Sequence, residues 1–162
     1  MTRRELLGVD AAFSRETSLG YAVNFVGRAF AFALERRLAR HGVALGQFPL
    51  LLTLWEEDGL TQSEMARRLL IEQPTVANTL KRMERDGLIA AAADPHNRRL
   101  VRISLTDKGR ALENVLIAEA QAVNKAAVAG LTRRDAALFL DLALRMARNL
   151  ADVAADSERP AE

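Results

Sequence analysis

The sequence predicts a mainly α-helical chain carrying one small β-hairpin, and three observations predict it. Apolar residues recur at helical spacing through most of the 162 residues. Two short helical segments between Gln62 and Asp86 are joined by only a few residues. Directly after them, two strand-like runs, the second alternating with a period of two, flank the turn Asp94-Pro95-His96-Asn97. A chain of this length fits one compact domain, or a small core with helical extensions. With 49% hydrophobic and 27% charged residues, its balance is that of a globular protein rather than a disordered one.

Each element has its own signal. From Ser14 to His41, Leu19, Val23, Val26, Phe30, Leu34 and Leu38 form a helical stripe, and Gly42 is placed to stop it. Phe25 and Phe32 lie on further faces, more apolar surface than one neighbour covers, so a second chain is expected against this helix. A second helix over Leu45–Glu57 has the stripe Phe48, Leu51, Leu52 and Trp55 and ends at Gly59. Thr61-Gln62-Ser63-Glu64 is a capping box that opens a short helix to Leu70, with Met65, Ala66 and Leu69 inward. Pro74 suits the first turn of the next helix, Pro74–Asp86, where its missing N–H is not needed, and Gly87 ends it. Strands follow at Leu88–Ala93 and Leu100–Leu105, the second with Val101, Ile103 and Leu105 on its inner face. Thr106 caps a long helix to Ala129, and Thr132 to Asp135 opens a last one with Leu138, Phe139, Leu142, Met146 and Leu150 as its stripe. Two tightly joined helices followed by a hairpin make a winged helix-turn-helix.

Composition excludes several classes of chemistry. Cysteine is absent, which removes disulfides, thiolate metal sites, cysteine nucleophiles and cysteine-based redox sensing. Only His41 and His96 are available as imidazole ligands, so neither a metal site nor a cofactor is expected. There is no glycine-rich phosphate loop and no nucleophile beside a base, and the reading is that the chain is not an enzyme. No apolar run reaches the roughly 18 residues of a membrane span. Glu5, Asp10, Arg15 and Glu16 interrupt any signal-peptide core, so a cytoplasmic location is expected.

The net charge of +2 is unevenly spread. Residues 61–110 carry a net +4, the first sixty residues are neutral, and the last 52 carry −2. A basic centre on neutral or acidic arms suits a surface that faces a polyanion.

The helix from Pro74 to Asp86 concentrates that charge on one side. Val76, Leu80 and Met83 form a narrow inward stripe. Opposite them at 100° per residue stand Pro74, Asn78, Lys81, Arg82 and Arg85, with Thr75 alongside. Gln73, Thr75 and Asn78 lie near the N-terminus, where short polar groups reach base edges in a major groove. Arg82 and Arg85 serve phosphates or a guanine edge, and Lys81 the backbone. Arg98 and Arg99, beside Asn97 at the hairpin tip, suit an adjacent minor groove. Gln62 and Ser63, at the start of the preceding helix, suit the phosphate backbone.

The stretches Leu60-Thr61-Gln62-Ser63-Glu64-Met65-Ala66-Arg67-Arg68-Leu69, Pro74-Thr75-Val76-Ala77-Asn78-Thr79-Leu80-Lys81-Arg82-Met83-Glu84-Arg85-Asp86-Gly87-Leu88-Ile89 and Asp94-Pro95-His96-Asn97-Arg98-Arg99-Leu100-Val101-Arg102-Ile103-Ser104-Leu105-Thr106-Asp107-Lys108-Gly109 resemble the MarR family of bacterial regulators. The match spans Gly46 to Gly109. The resemblance implies a homodimer interlocked through its first and last helices, gripping palindromic double-stranded DNA. Residues 14–45 and 106–152 would then be the dimerisation region, 46–105 the DNA-binding region, and 1–13 and 153–162 flexible tails. It further implies a sequence-specific repressor that releases DNA when a small aromatic or anionic ligand binds. Tyr21, Asn24, Phe25 and Arg28 are the candidates for that ligand, with Arg28 pairing an anionic group. One departure stands out: where the family's wing has an aspartate two residues before its groove-entering arginine, this chain has Asn97 before Arg99. Either Asp94 takes over that role or Arg99 is held less firmly. The alternatives are an architectural protein that binds DNA without base readout, and a helical protein-interaction module that has lost DNA binding.

Overall fold

The structure is a computed structural model that describes residue 15 and residues 18–157. Its first long helix, α1, spans Leu19–Leu38 rather than starting at residue 14, because Ser18 takes an extended conformation and its Oγ accepts the Tyr21 N–H at 3.2 Å. A single turn of 3-10 helix (Ala39–His41) continues it to Gly42, whose φ of 70° turns the chain out of the helix. A second such turn, Leu45–Gln47, leads into α2, Phe48–Glu56.

Helix α2 is buried on more sides than one stripe. Phe48, Leu50, Leu51 and Leu54 are buried while Leu52 is exposed, which corrects the expected stripe of Phe48, Leu51, Leu52 and Trp55. The helix begins later than Leu45 and passes through the middle of the core, so its inward arc is wide. Trp55 is half-buried: its ring meets Phe48 edge-on at 6.3 Å, and its Nε1–H donates to the Gly109 carbonyl at 3.1 Å.

A two-residue strand, β1 (Leu60–Thr61), precedes α3 (Gln62–Leu69). The sheet therefore has three strands, not the two of a simple hairpin. A two-residue segment carries no periodicity to detect. The capping box that opens α3 is complete, since the Thr61 Oγ accepts the Glu64 N–H at 3.3 Å and Glu64 Oε2 accepts the Thr61 N–H at 2.7 Å. Helix α3 stops one residue early because Leu70 takes the left-handed conformation, φ 52°, with its side chain 69% exposed. Helix α4 follows at Gln73–Arg85, with Pro74 in its first turn and Asp86 as its cap.

Strands β2 (Ile89–Ala93) and β3 (Val101–Leu105) pair antiparallel, Ala91 opposite Ile103, and β1 adds to the other edge of β3. Ile103 and Leu105 are buried, but Val101 is half exposed, against the expected alternation. Val101 pairs with Ala93 at the outer end of the hairpin, where the sheet has projected past the core.

Thr106 then caps the short helix α5, Asp107–Ala111, its Oγ accepting the Gly109 N–H at 3.1 Å. Helix α6 spans Glu113–Ala127, and α7 spans Arg133–Ser157. At the start of α7, Asp135 Oδ2 accepts the Thr132 N–H at 3.1 Å and the Thr132 Oγ accepts the Asp135 N–H at 3.1 Å. Helix α7 continues through Ser157, into the segment expected as a tail; residues 1–13 and 158–162 lie outside the described residues. Among the described residues no helix is long and apolar enough to cross a membrane.

The core is built by α2, α3, α4, the sheet and the end of α1, with Leu38, Leu51, Leu54, Met65, Val76 and Met83 fully buried at its centre. Helix α5 locks onto it by close approach. A Cβ on Gly109 would lie 2.2 Å from the Leu88 carbonyl oxygen, so only glycine fits there. Gly109→Ala is expected to destabilise the protein by about 3 kcal/mol or more, the upper end of overpacking costs, because the obstructing atom is backbone. Gly46→Ala, with open space around its Cβ, is the control and should be neutral or stabilising by up to about 1 kcal/mol. Urea denaturation midpoints check both, and equal midpoints for the two variants would rule out the close approach.

Candidate nucleic-acid interface

Helix α4 is held from one side only. Val76, Leu80 and Met83 are buried as expected, and Thr79, which sequence reasoning left out, is buried with them. Thr79 tolerates burial because its hydroxyl donates to the Thr75 carbonyl at 2.9 Å. Gln73, Pro74, Thr75, Asn78, Lys81, Arg82 and Arg85 are all exposed on the remaining surface.

These seven residues are not equivalent. Arg82 lies back along its helix, its Nη2 donating to the Thr79 hydroxyl at 3.2 Å. Arg85 pairs with its neighbour Asp86 at 3.0 Å. Lys81 makes no ion pair among the described residues and is the least encumbered of the three cations. Gln62 has a partner that the sequence did not announce: its Nε2 donates to the Gln73 carbonyl at 3.3 Å and ties the start of α3 to the start of α4. Ser63 is exposed beside it.

The C-terminal end of α4 is fixed by groups that sequence reasoning missed. Gln47, 3% exposed, accepts the Ala44 N–H on its Oε1 at 2.9 Å and donates from Nε2 to Asp86 Oδ2 at 2.8 Å. Lys108 Nζ donates to the Asp86 backbone carbonyl at 2.7 Å. The Gln47 amide, with Arg85 beside it, holds the Asp86 carboxyl below its ordinary value.

In the wing, Asp94 does not take over the role of the missing aspartate. Its Oδ2 pairs with Arg102 Nε at 2.5 Å, and its Oδ1 accepts the backbone N–H groups of His96 (2.7 Å) and Asn97 (3.0 Å). The Arg102 guanidinium and the His96 N–H together hold its carboxyl below the usual range. Arg102 also donates to the Gly59 carbonyl at 2.9 Å, so the wing is braced against the turn before β1. At that turn, burial opposes ionisation of Asp58, yet the Leu105 N–H, Arg110 and the Gly59 N–H outweigh it and lower its pKa. Asn97 Oδ1 accepts the Arg99 backbone N–H at 3.2 Å, and Arg98 and Arg99 are exposed without an ion pair among the described residues. The backbone of Arg99 is therefore held by the Asn97 side-chain amide, and neither tip arginine is paired with a carboxylate among the described residues.

Of the four ligand candidates, one lines a cavity. A groove of about 470 Å³ runs between α1 and α6, with Phe25, Val26, Phe30, Arg37 and Val123 in its wall. Tyr21 stacks on Phe25 with centroids 6.2 Å apart, and Asn24 donates to the Gly20 carbonyl of its own helix at 2.8 Å. Arg28 is exposed and does not line the groove. Arg37, absent from the sequence-level candidates, pairs with Glu119 at 2.6 Å, and His41 Nε2 faces the same carboxylate at 3.3 Å. Arg37 and then His41 lower the Glu119 pKa. A contact between residues 82 positions apart leaves no local signal in the sequence.

Comparison with known proteins places this geometry. The family model described as "MarR family" matches residues 43–101. The HTH-type transcriptional regulator TtmR of Methylorubrum extorquens (strain PA1) is 34% identical over 154 residues, covering 95% of this chain and 78% of the relative. A putative MarR family regulator from Listeria monocytogenes, solved in complex with a 26mer DNA, superposes with a TM-score of 0.80 at 22% identity, covering 90% of this chain and 98% of that one. The PcaV transcriptional regulator of Streptomyces coelicolor, solved with its natural ligand, gives a TM-score of 0.75 at 26% identity, covering 85% and 97%. With the exposed face of α4, the braced wing and this similarity taken together, the chain belongs to the MarR family of DNA-binding, winged helix-turn-helix transcription regulators.

Proposed function

We propose that this regulator is a repressor that binds a palindromic operator as a homodimer in the cytoplasm and releases it on binding a small ligand. The observation that carries the operator reading is the division of α4 into a buried stripe and an exposed face of amides, hydroxyls and cations. In this reading residues 46–105 bind DNA, and 14–45 with 106–152 form the dimer. Gln73, Thr75 and Asn78 read bases in the major groove, and Pro74 fixes the helix entry that presents them. Lys81, Arg82 and Arg85, with Gln62 and Ser63 at the start of α3, face the phosphates. Arg98 and Arg99 approach the minor groove with Asn97 shaping the tip.

The dimer reading rests on apolar surface that one chain leaves uncovered. No side chain described in α7 is buried, and Leu138, Phe139, Leu140, Leu142 and Leu144 are all exposed. Burying one such side chain contributes about 1.5–3 kcal/mol, so a partner chain across several of them supplies ample driving force. The ligand reading is supported by the groove beside Phe25, which is apolar apart from a guanidinium, and by the ligand-bound PcaV structure. An aromatic acid suits such a lining. Tyr21, Asn24 and Arg28 then belong to its approach rather than to its wall.

Titration against DNA from upstream of its own gene and against a scrambled duplex should give an affinity ratio of about 10³ or more. Equal affinities would make the protein architectural, and no binding at low salt would make it an interaction module. Asn78→Ala should relax preference at one base position at a cost of about 1–3 kcal/mol. Lys81→Ala should weaken all duplexes alike and flatten the salt dependence by about 0.9. Aromatic acids added to the same titration should include one that releases the operator.

Phe139→Glu combined with Leu142→Glu should give a monomer at micromolar concentration by light scattering and abolish operator binding. A dimer that survives both changes would remove α7 from the interface. Asp94→Asn tests the wing brace. Because folding lowers the pKa of Asp94, its stabilisation is complete above the unfolded value of about 4 and is lost as pH falls through the folded one. The melting-temperature gap between parent and variant should therefore be widest near neutral pH and close on acidification. A gap independent of pH would mean that the charge of Asp94 is not what matters.

A further inference from the structure

A carboxylate at a helix C-terminus faces the negative end of the helix dipole, an unfavourable place for it. Asp86 nevertheless caps α4, and three groups converge on it. Gln47 reaches its Oδ2 from the second 3-10 turn, Leu45–Gln47, through which the chain leaving α1 enters α2, and Gln47 itself is seated by the Ala44 N–H. Lys108 reaches its backbone carbonyl from α5, the short helix that leads into α6. Arg85 neutralises Oδ1 from within α4. The two segments that arrive from the long helices thus meet α4 at one residue, at the end remote from Gln73, Thr75 and Asn78. We propose that Asp86 is the positioning residue through which both helical arms set the orientation of the recognition helix, and with it the spacing of the half-sites that a dimer accepts. The proposal rests on the operator reading above.

Leverage gives the contact its importance. From Asp86 to Gln73 the helix extends roughly 20 Å at 1.5 Å per residue, so a swing of about 5° at Asp86 moves Gln73 by roughly 1.7 Å. That exceeds the latitude of a hydrogen bond to a base edge. The Gln47 amide is well suited to hold such a pivot. It is buried and loses a partner at each end if it moves.

The test selects preferred duplexes from a random pool with the full-length parent and three variants, then compares their affinity for selected and random duplexes. Gln47→Glu sets one carboxylate against another. It should weaken the selected duplex by roughly tenfold, broaden the enriched half-site spacing, and leave the random duplex within about threefold. Gln47→Glu with Asp86→Asn restores the bond with donor and acceptor exchanged, and should recover the parent's affinity and single spacing. Asp86→Ala, which changes a side chain at the edge of the core, should reproduce the Gln47→Glu phenotype and serves if that chain does not fold. Enrichment of the parent's spacing by Asp86→Ala, at affinity within about twofold of it, would overturn the proposal alone, as would failure of the exchanged pair to recover. A parent that enriches no sequence would overturn the operator reading and this proposal with it.

Discussion

Helix α4 is attached to the rest of the molecule through Val76, Thr79, Leu80 and Met83, and nearly everything else in the chain serves that attachment. A helix that lies in a groove has to leave most of its circumference free, so its anchorage is confined to a narrow stripe. Full burial of three apolar side chains contributes several kcal/mol at about 1.5–3 each, enough to fix the helix but not to fix its tilt. The tilt falls to polar contacts at its ends: Gln62 on the Gln73 carbonyl at one end, and Gln47 and Lys108 on Asp86 at the other. Apolar burial sets where the helix sits, and directional bonds set how it points.

The wing follows the same division. Ile103 and Leu105 root it in the core, while its outer half exposes Val101 and the alanines of β2 and has no apolar anchorage. Asp94 and Arg102 replace what the core cannot supply, closing the turn on one side and reaching the Gly59 carbonyl on the other. The brace sits down the hairpin from the tip, and Arg99 keeps its guanidinium for other partners.

The parts legible in the sequence were those governed by local periodicity and local capping. The Val76/Leu80/Met83 stripe, the Thr61–Glu64 box, the Thr132 cap and the turn glycines act within a few residues, and each leaves a pattern that can be read along the chain. The exposed face of α4 followed from the same arithmetic. What could not be read were contacts between distant positions: Gln47 with Asp86, Asp58 with Leu105, and Arg37 with Glu119. A glutamine in a turn looks like solvent-facing polarity until tertiary structure buries it. The missed inward residues Leu50 and Leu54 have a different cause, because a helix packed on several sides has no single stripe to find.

The long helices invert the usual relation between pattern and burial. The stripe of α7 is as regular as that of α4, yet within one chain only Met146 of it is partly covered, and its phenylalanine and leucines face outward. Amphipathic periodicity states that a face needs a partner, not which chain provides it. In the proposed homodimer that partner is the second copy, and folding and assembly become one equilibrium whose stability rises with protein concentration. Helix α4 is rooted in a core that one chain completes by itself, whereas the segments that reach Asp86 through Gln47 and Lys108 connect to helices that a single chain leaves half covered. In the proposed reading, a ligand or contact that shifts those segments acts on α4 at its least apolar attachment, where small displacements cost little in the core and much at the bases.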